Sequence, residues 1–86
     1  MTVRLRLEFA DPIPGTAGLT HVTLFDSTRP PNFAVATGAG EERHDALLDL
    51  WNTLVQRNES PDVIERTAEA YRRLTGIQPA SAPPRA

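Results

Sequence analysis

The run from Asn32 to Gln56, NFAVATGAGEERHDALLDLWNTLVQ, constrains this chain most. An apolar segment, Phe33-Ala34-Val35-Ala36, leads through Thr37 into Gly38-Ala39-Gly40 and then into a periodic stretch. Ala46, Leu47, Leu50, Trp51, Leu54 and Val55 recur at steps of three and four, which draws one apolar stripe along a helix. Asp45, Asp49, Asn52 and Gln56 fall on its wet side, and Leu48 at the stripe's edge. Glu41, Glu42 and Asp45 suit the positive end of the helix dipole. The pattern predicts a strand at Phe33–Thr37, a two-glycine turn, and a helix that packs back on the strand.

Two further strands precede this unit. Val3, Leu5, Leu7 and Phe9 alternate with Arg4, Arg6 and Glu8, as in a strand with one buried and one charged face. Asp11-Pro12-Ile13-Pro14-Gly15 ends it, because proline donates no ladder hydrogen bond. A second strand is predicted over Leu19–Asp26. Val22 and Leu24 share one of its faces, and Leu19, His21, Thr23 and Phe25 the other. Ser27-Thr28-Arg29-Pro30-Pro31-Asn32 is a loop. Short links between consecutive strands favour an antiparallel meander.

A second helix follows. Ser60-Pro61-Asp62 supplies an N-cap, a proline at the first helical position and an acid in the first turn. Its apolar stripe is read as Ile64, Ala68, Tyr71 and Leu74 or Thr75, with i,i+4 ion pairs Asp62–Arg66 and Glu69–Arg73. Gly76 is placed just past the helix end, with Ile77 folding back. Residues 78–86, QPASAPPRA, carry no large apolar side chain and are expected to stay disordered. The organisation is one domain over residues 1–77 and a tail. The fold class is α+β: a three-stranded antiparallel sheet followed by two helices. The core is expected to hold Val3 or Leu5, Leu7, Val22, Leu24, Val35, Leu47, Leu50, Trp51, Leu54, Ile64 and Tyr71. A truncation at Trp51, fully buried in this reading, is worth ~3–5 kcal/mol.

With 86 residues and no cysteine, the chain can use neither disulfides nor thiolate metal sites to support a small core. Self-association is a natural way to cover more apolar surface. Nine basic residues, all arginine, face eleven acids for a net charge of −2. This balance is unfavourable for binding driven by phosphate neutralisation. No apolar run approaches the ~20 residues that span a bilayer. The alternating start MTVRLRLEF is unlike a leader peptide, so a cytoplasmic location is expected.

Candidate chemistry is sparse. No serine stands on a tight strand-to-helix turn and only two histidines, His21 and His44, are available, so no enzyme activity and no cofactor are expected. Glu41 with His44 or Asp45 has metal-ligand spacing on one helix face, with His21 as a third ligand only if the fold brings it there; dipole-favourable charges explain the same residues. Gly38-Ala39-Gly40 precedes a helix but lacks the rest of a phosphate-binding motif, and two glutamates follow it. Arg4 and Arg6, with Arg29, could form a phosphate-contacting face; no aromatic interleaves with them.

His21–Leu54 resembles the second half of a double-stranded-RNA-binding domain: strand, loop, strand, a Gly-x-Gly exit and a closing helix. Residues 33–40, FAVATGAG, resemble that family's third strand and its exit. Glu42-Arg43-His44 stands where the family has a serine and two lysines, and a strand over Val3–Phe9 stands in place of the opening helix. The resemblance implies a two-layer α+β sandwich. Two functions are expected in order, the first from the missing catalytic constellation, the small size and two amphipathic helices beside a two-sided second strand. The first is a non-enzymatic interaction or regulatory module, homodimeric or bound to a protein partner, with Ile64, Tyr71, His21 and Phe25 at the interface. The second is a nucleic-acid-binding module using Arg4, Arg6, Arg29, Arg43 and His44.

Overall fold

A computed structural model describes residues 5–28 and 33–80. The element order is β1 (Leu5–Ala10), β2 (Thr20–Asp26), β3 (Phe33–Gly40), α1 (Arg43–Gln56) and α2 (Pro61–Thr75). The strands form one antiparallel sheet in the order β1-β2-β3. This is the α+β arrangement, three strands then two helices, that the sequence predicts. Val3, Arg4, Arg29 and residues 81–86 of the tail lie outside the described residues.

Alternation along the strands sets two faces. Leu7 pairs with Leu24 and Phe9 with Val22, and Gly38 and Ala36 follow on β3. This inner face receives the helices. Arg6, Glu8, His21, Thr23, Phe25, Thr37 and Ala39 occupy the outer face, and no helix packs there among the described residues. Leu24 pairs with Ala36 but Phe25 with Ala34, so Val35 is the extra residue of a β-bulge. The bulge turns Val35 and Ala36 inward together, at 6% and 8% exposure.

The glycines at the end of β3 do not form a turn. The strand runs through Gly40, and the chain turns at Glu41–Glu42. Glycine is needed because α1 lies directly on the strand. A Cβ at Gly38 would stand 2.3 Å from the Ala46 carbonyl oxygen and 2.5 Å from the Leu50 nitrogen. One at Gly40 would stand 2.4 Å from the Asp45 Cβ. The space that a phosphate cradle would offer is filled by the helix.

α1 starts after Glu42, whose N–H donates to the Asp45 carboxylate at 3.3 Å, an acid reaching back as in a capping box. Ala46, Leu47, Leu50 and Leu54 are buried against Val22, Leu24, Val35 and Ala36. Trp51 departs from expectation. It is only half-buried and lies outside the contiguous core. The buried side of α1 is a narrower stripe than the periodicity allowed.

α2 begins with Ser60 as N-cap and Pro61 in the first turn, and ends at Gly76 with φ 78°, as its punctuation predicts. Ala68 and Tyr71 of the expected stripe are buried, and the buried face extends from them to Val63 and Thr67. Val63, Thr67, Ala68 and Tyr71 are buried, Ile64 is half-buried against the core, and Leu74 is exposed. Thr67 is admitted to the core because its hydroxyl donates to the Val63 carbonyl, 3.3 Å away. Of the two expected ion pairs, Arg73–Glu69 forms at 3.9 Å, whereas Asp62–Arg66 does not close and Arg72 pairs with Glu65 instead. Ile77 does not fold back; it is exposed, its N–H donating to Thr75 Oγ1 at 3.2 Å.

Candidate interaction surface

The sheet has two edge strands, and the molecule treats them differently. An edge strand presents unpaired N–H and C=O groups that can template another strand. On β3 the helix side reaches over to these groups. Asp49 accepts the Ala39 N–H at 2.9 Å, and Arg57 donates to the Val35 carbonyl at 3.3 Å. The bulge at Val35 further breaks the regularity of that edge. On β1, among the described residues, no side chain bonds to the backbone of Leu5–Ala10. The strand contains no proline and no bulge. Of the two helices on the inner face, α2 touches β1 only sparsely.

Beside β1 on the helix side lies a cleft of about 320 Å³ between β1, α1 and α2. Its apolar lining is Leu7, Phe9, Leu47, Ala70 and Leu74. Leu7 and Phe9 are half-buried here, and Leu74 is 52% exposed. Arg43, Arg66 and Arg73 stand around it. Arg43 is committed within the chain: it donates to Asp11 at 2.6 Å and lies over the Phe9 ring at 4.7 Å. The Arg43 guanidinium in turn holds the Asp11 carboxyl below the usual carboxylate range, helped by the Thr20 hydroxyl. Arg73 is loosely paired with Glu69, and Arg66 has no ion pair among the described residues. On the α2 side of this cleft the sequence places Leu74 in the apolar stripe and Arg66 and Arg73 in ion pairs, but does not join them with Ala70 into one surface. The i, i+4, i+8 spacing of Arg66, Ala70 and Leu74 was its only signal.

The residues predicted for a partner surface divide. His21 is exposed and Phe25 half-buried, both on the bare outer face of the sheet. Ile64 is half-buried, and Tyr71 is 6% exposed beneath the chain's own elements. The second helix thus packs within the protomer.

The residues predicted to touch phosphates do not converge where they can be followed. Arg6 lies on the outer sheet face, ion-paired with Glu8 at 2.7 Å and over the Phe25 ring at 4.9 Å. Arg43 stacks on Phe9, an inner-face residue, and His44 lies beside Asp45 at 3.4 Å. Arg4 and Arg29 lie outside the described residues. The metal-like grouping also changes membership. Glu42, His44 and Asp45 place ligand atoms within 4.8 Å of one another, whereas His21 is on the outer face of the sheet. Asp45 already serves the helix start by accepting the Glu42 N–H. No helix among the described residues is long and apolar enough to cross a membrane. In comparison with known proteins, no family model, no curated protein and no solved structure matches the chain.

Proposed function

We propose that this chain is a small non-enzymatic interaction module that works as a homodimer. The observation that carries the reading is the inequality of the two sheet edges: two backbone groups of β3 are taken by Asp49 and Arg57, whereas among the described residues no side chain takes one of β1, which is flanked by an apolar cleft. Partly exposed Leu7, Phe9 and Leu74 are the kind of apolar surface that small domains cover by association. Edge pairing supplies main-chain hydrogen bonds, and neighbouring apolar side chains supply burial. Sedimentation velocity between 1 and about 100 μM tests this, a range set by the affinities of modest interfaces. A concentration-dependent shift from monomer to dimer is expected. A single monomeric species throughout would refute the homodimer.

A further inference from the structure

The open strand is complementary to itself. β1 reads Leu5-Arg6-Leu7-Glu8-Phe9-Ala10, and about Leu7 its pattern mirrors with the charges inverted. We infer that two copies of this chain join through β1, antiparallel, with Leu7 of each on the two-fold axis. The inference rests on the homodimer reading and adds the surface and the register.

In this register Leu7 faces Leu7 of the second copy, and Leu5 faces its Phe9, all on the inner face. On the outer face Arg6 lies opposite Glu8 of the second copy, and Glu8 opposite its Arg6. Each pair is an opposite-charge cross-strand neighbour, the favourable arrangement on an antiparallel ladder. The alternatives are disfavoured by the same residues. Sliding by one residue on each copy sets Arg6 against Arg6 or Glu8 against Glu8. Sliding by a single residue sets inner-face side chains against outer-face ones. Parallel pairing sets both like charges together. The charges that guard the strand against indiscriminate pairing therefore admit one partner in one register.

The geometry leaves room for it. Arg6 and Glu8 are about half exposed, with side chains 47% and 54% accessible, and their mutual ion pair is a surface contact that can be shared across the axis. Antiparallel pairing about Leu7 joins the two sheets into one and sets the two β1–α2 clefts side by side. Leu7, Phe9 and the exposed Leu74 of each copy then face the dyad instead of water.

The test is a charge exchange between molecules. Arg6→Glu alone makes two acid–acid pairs across the axis, and Glu8→Arg alone makes two arginine–arginine pairs. Each variant should dimerise at least about tenfold more weakly than the parent by sedimentation. Mixed together, the two variants should form a heterodimer near parental affinity, since every cross-axis pair is then opposite in sign. The ion pair inside one protomer is broken in both variants and stays broken on mixing. Recovery in the mixture therefore reports contacts between copies. Circular dichroism of each variant checks its fold before mixing. If the parent dimerises and both variants do so equally well, or if mixing restores nothing, the β1 register is overturned while the homodimer stands. If the parent is monomeric, both readings fall.

Discussion

Gly38→Ala is the sharpest probe of how strand and helix meet. An alanine Cβ would sit 2.3 Å from the Ala46 oxygen, 2.5 Å from the Leu50 nitrogen and 2.8 Å from the Leu50 Cβ. Two of these neighbours are backbone atoms of α1, so no rotamer change relieves the contact. Comfortable separation is ~3.5 Å, so the helix would have to retreat by about 1 Å. Ala46, Leu47, Leu50 and Leu54 retreat with it, and a gap of that size forfeits a quarter to a half of each dispersion contact, by the usual distance dependence. Overpacking of this kind costs ~1–3 kcal/mol, occasionally more. One effect runs the other way: replacing glycine restricts the unfolded chain and stabilises by ~0.4–1 kcal/mol where no strain results. The sign of the net change therefore decides the matter. We expect a loss of about 2 kcal/mol, a large share of the ~4–13 kcal/mol available to a domain of this size. Urea unfolding followed by circular dichroism reads it as a midpoint lowered by about 1–2 M, given typical slopes for small domains. Gly18→Ala is the control, because its Cβ meets only the Pro12 Cβ at 3.3 Å, and it should move the midpoint far less. A Gly38→Ala protein as stable as the parent would refute the close approach of α1 to β3.

Leu50→Ala should cost ~2–5 kcal/mol, since Leu50 is fully buried in the contiguous core. Trp51→Ala should cost less, in keeping with its half-burial; the opposite order in urea melts would return Trp51 to the core. The Asp11–Arg43 pair makes a pH prediction. Because Arg43 lowers the Asp11 pKa in the folded state, its contribution is present above the unfolded value near ~3.9 and is lost as pH falls through the folded value. Parent and Asp11→Asn should therefore differ in melting temperature at pH 6 and converge in acid, and a constant gap down to about pH 2 would remove Arg43 as the cause.

Much of this architecture is legible in the residues themselves. Alternation marks β1 and β2, and Ser60-Pro61 and Gly76 mark both ends of α2, because such signals depend on local backbone chemistry. What escapes is whatever depends on a neighbour in space. Gly38 and Gly40 look like a turn because sequence shows glycine's freedom and not the helix lying on it. Trp51 fits the apolar stripe by spacing, but spacing sets only the direction of a side chain. The sheet beneath α1 is narrow enough that Ala46, Leu47, Leu50 and Leu54 cover the contact. On α2 two overlapping stripes were available, one through Ile64 and one through Val63, and docking on α1 selects the latter, with Thr67 burying its hydroxyl on the helix backbone. The candidate surface was least legible of all. The difference between the edges is a property of sheet order and of two hydrogen bonds, one from α1 and one from its C-cap residue Arg57, and nothing in residues 5–10 alone says that β3 is the edge they reach.

The reach of Asp49 and Arg57 over β3 bears on how far edge-to-edge assembly could ever proceed. A sheet with two receptive sides is bivalent: each added copy exposes a fresh side, and growth ends only in a fibre. With the Ala39 N–H and the Val35 carbonyl of β3 taken by its own side chains, the proposed β1 dimer would leave a less receptive strand at each outer end. In the proposed dimer, two hydrogen bonds of 2.9 and 3.3 Å would thus work against growth beyond two copies.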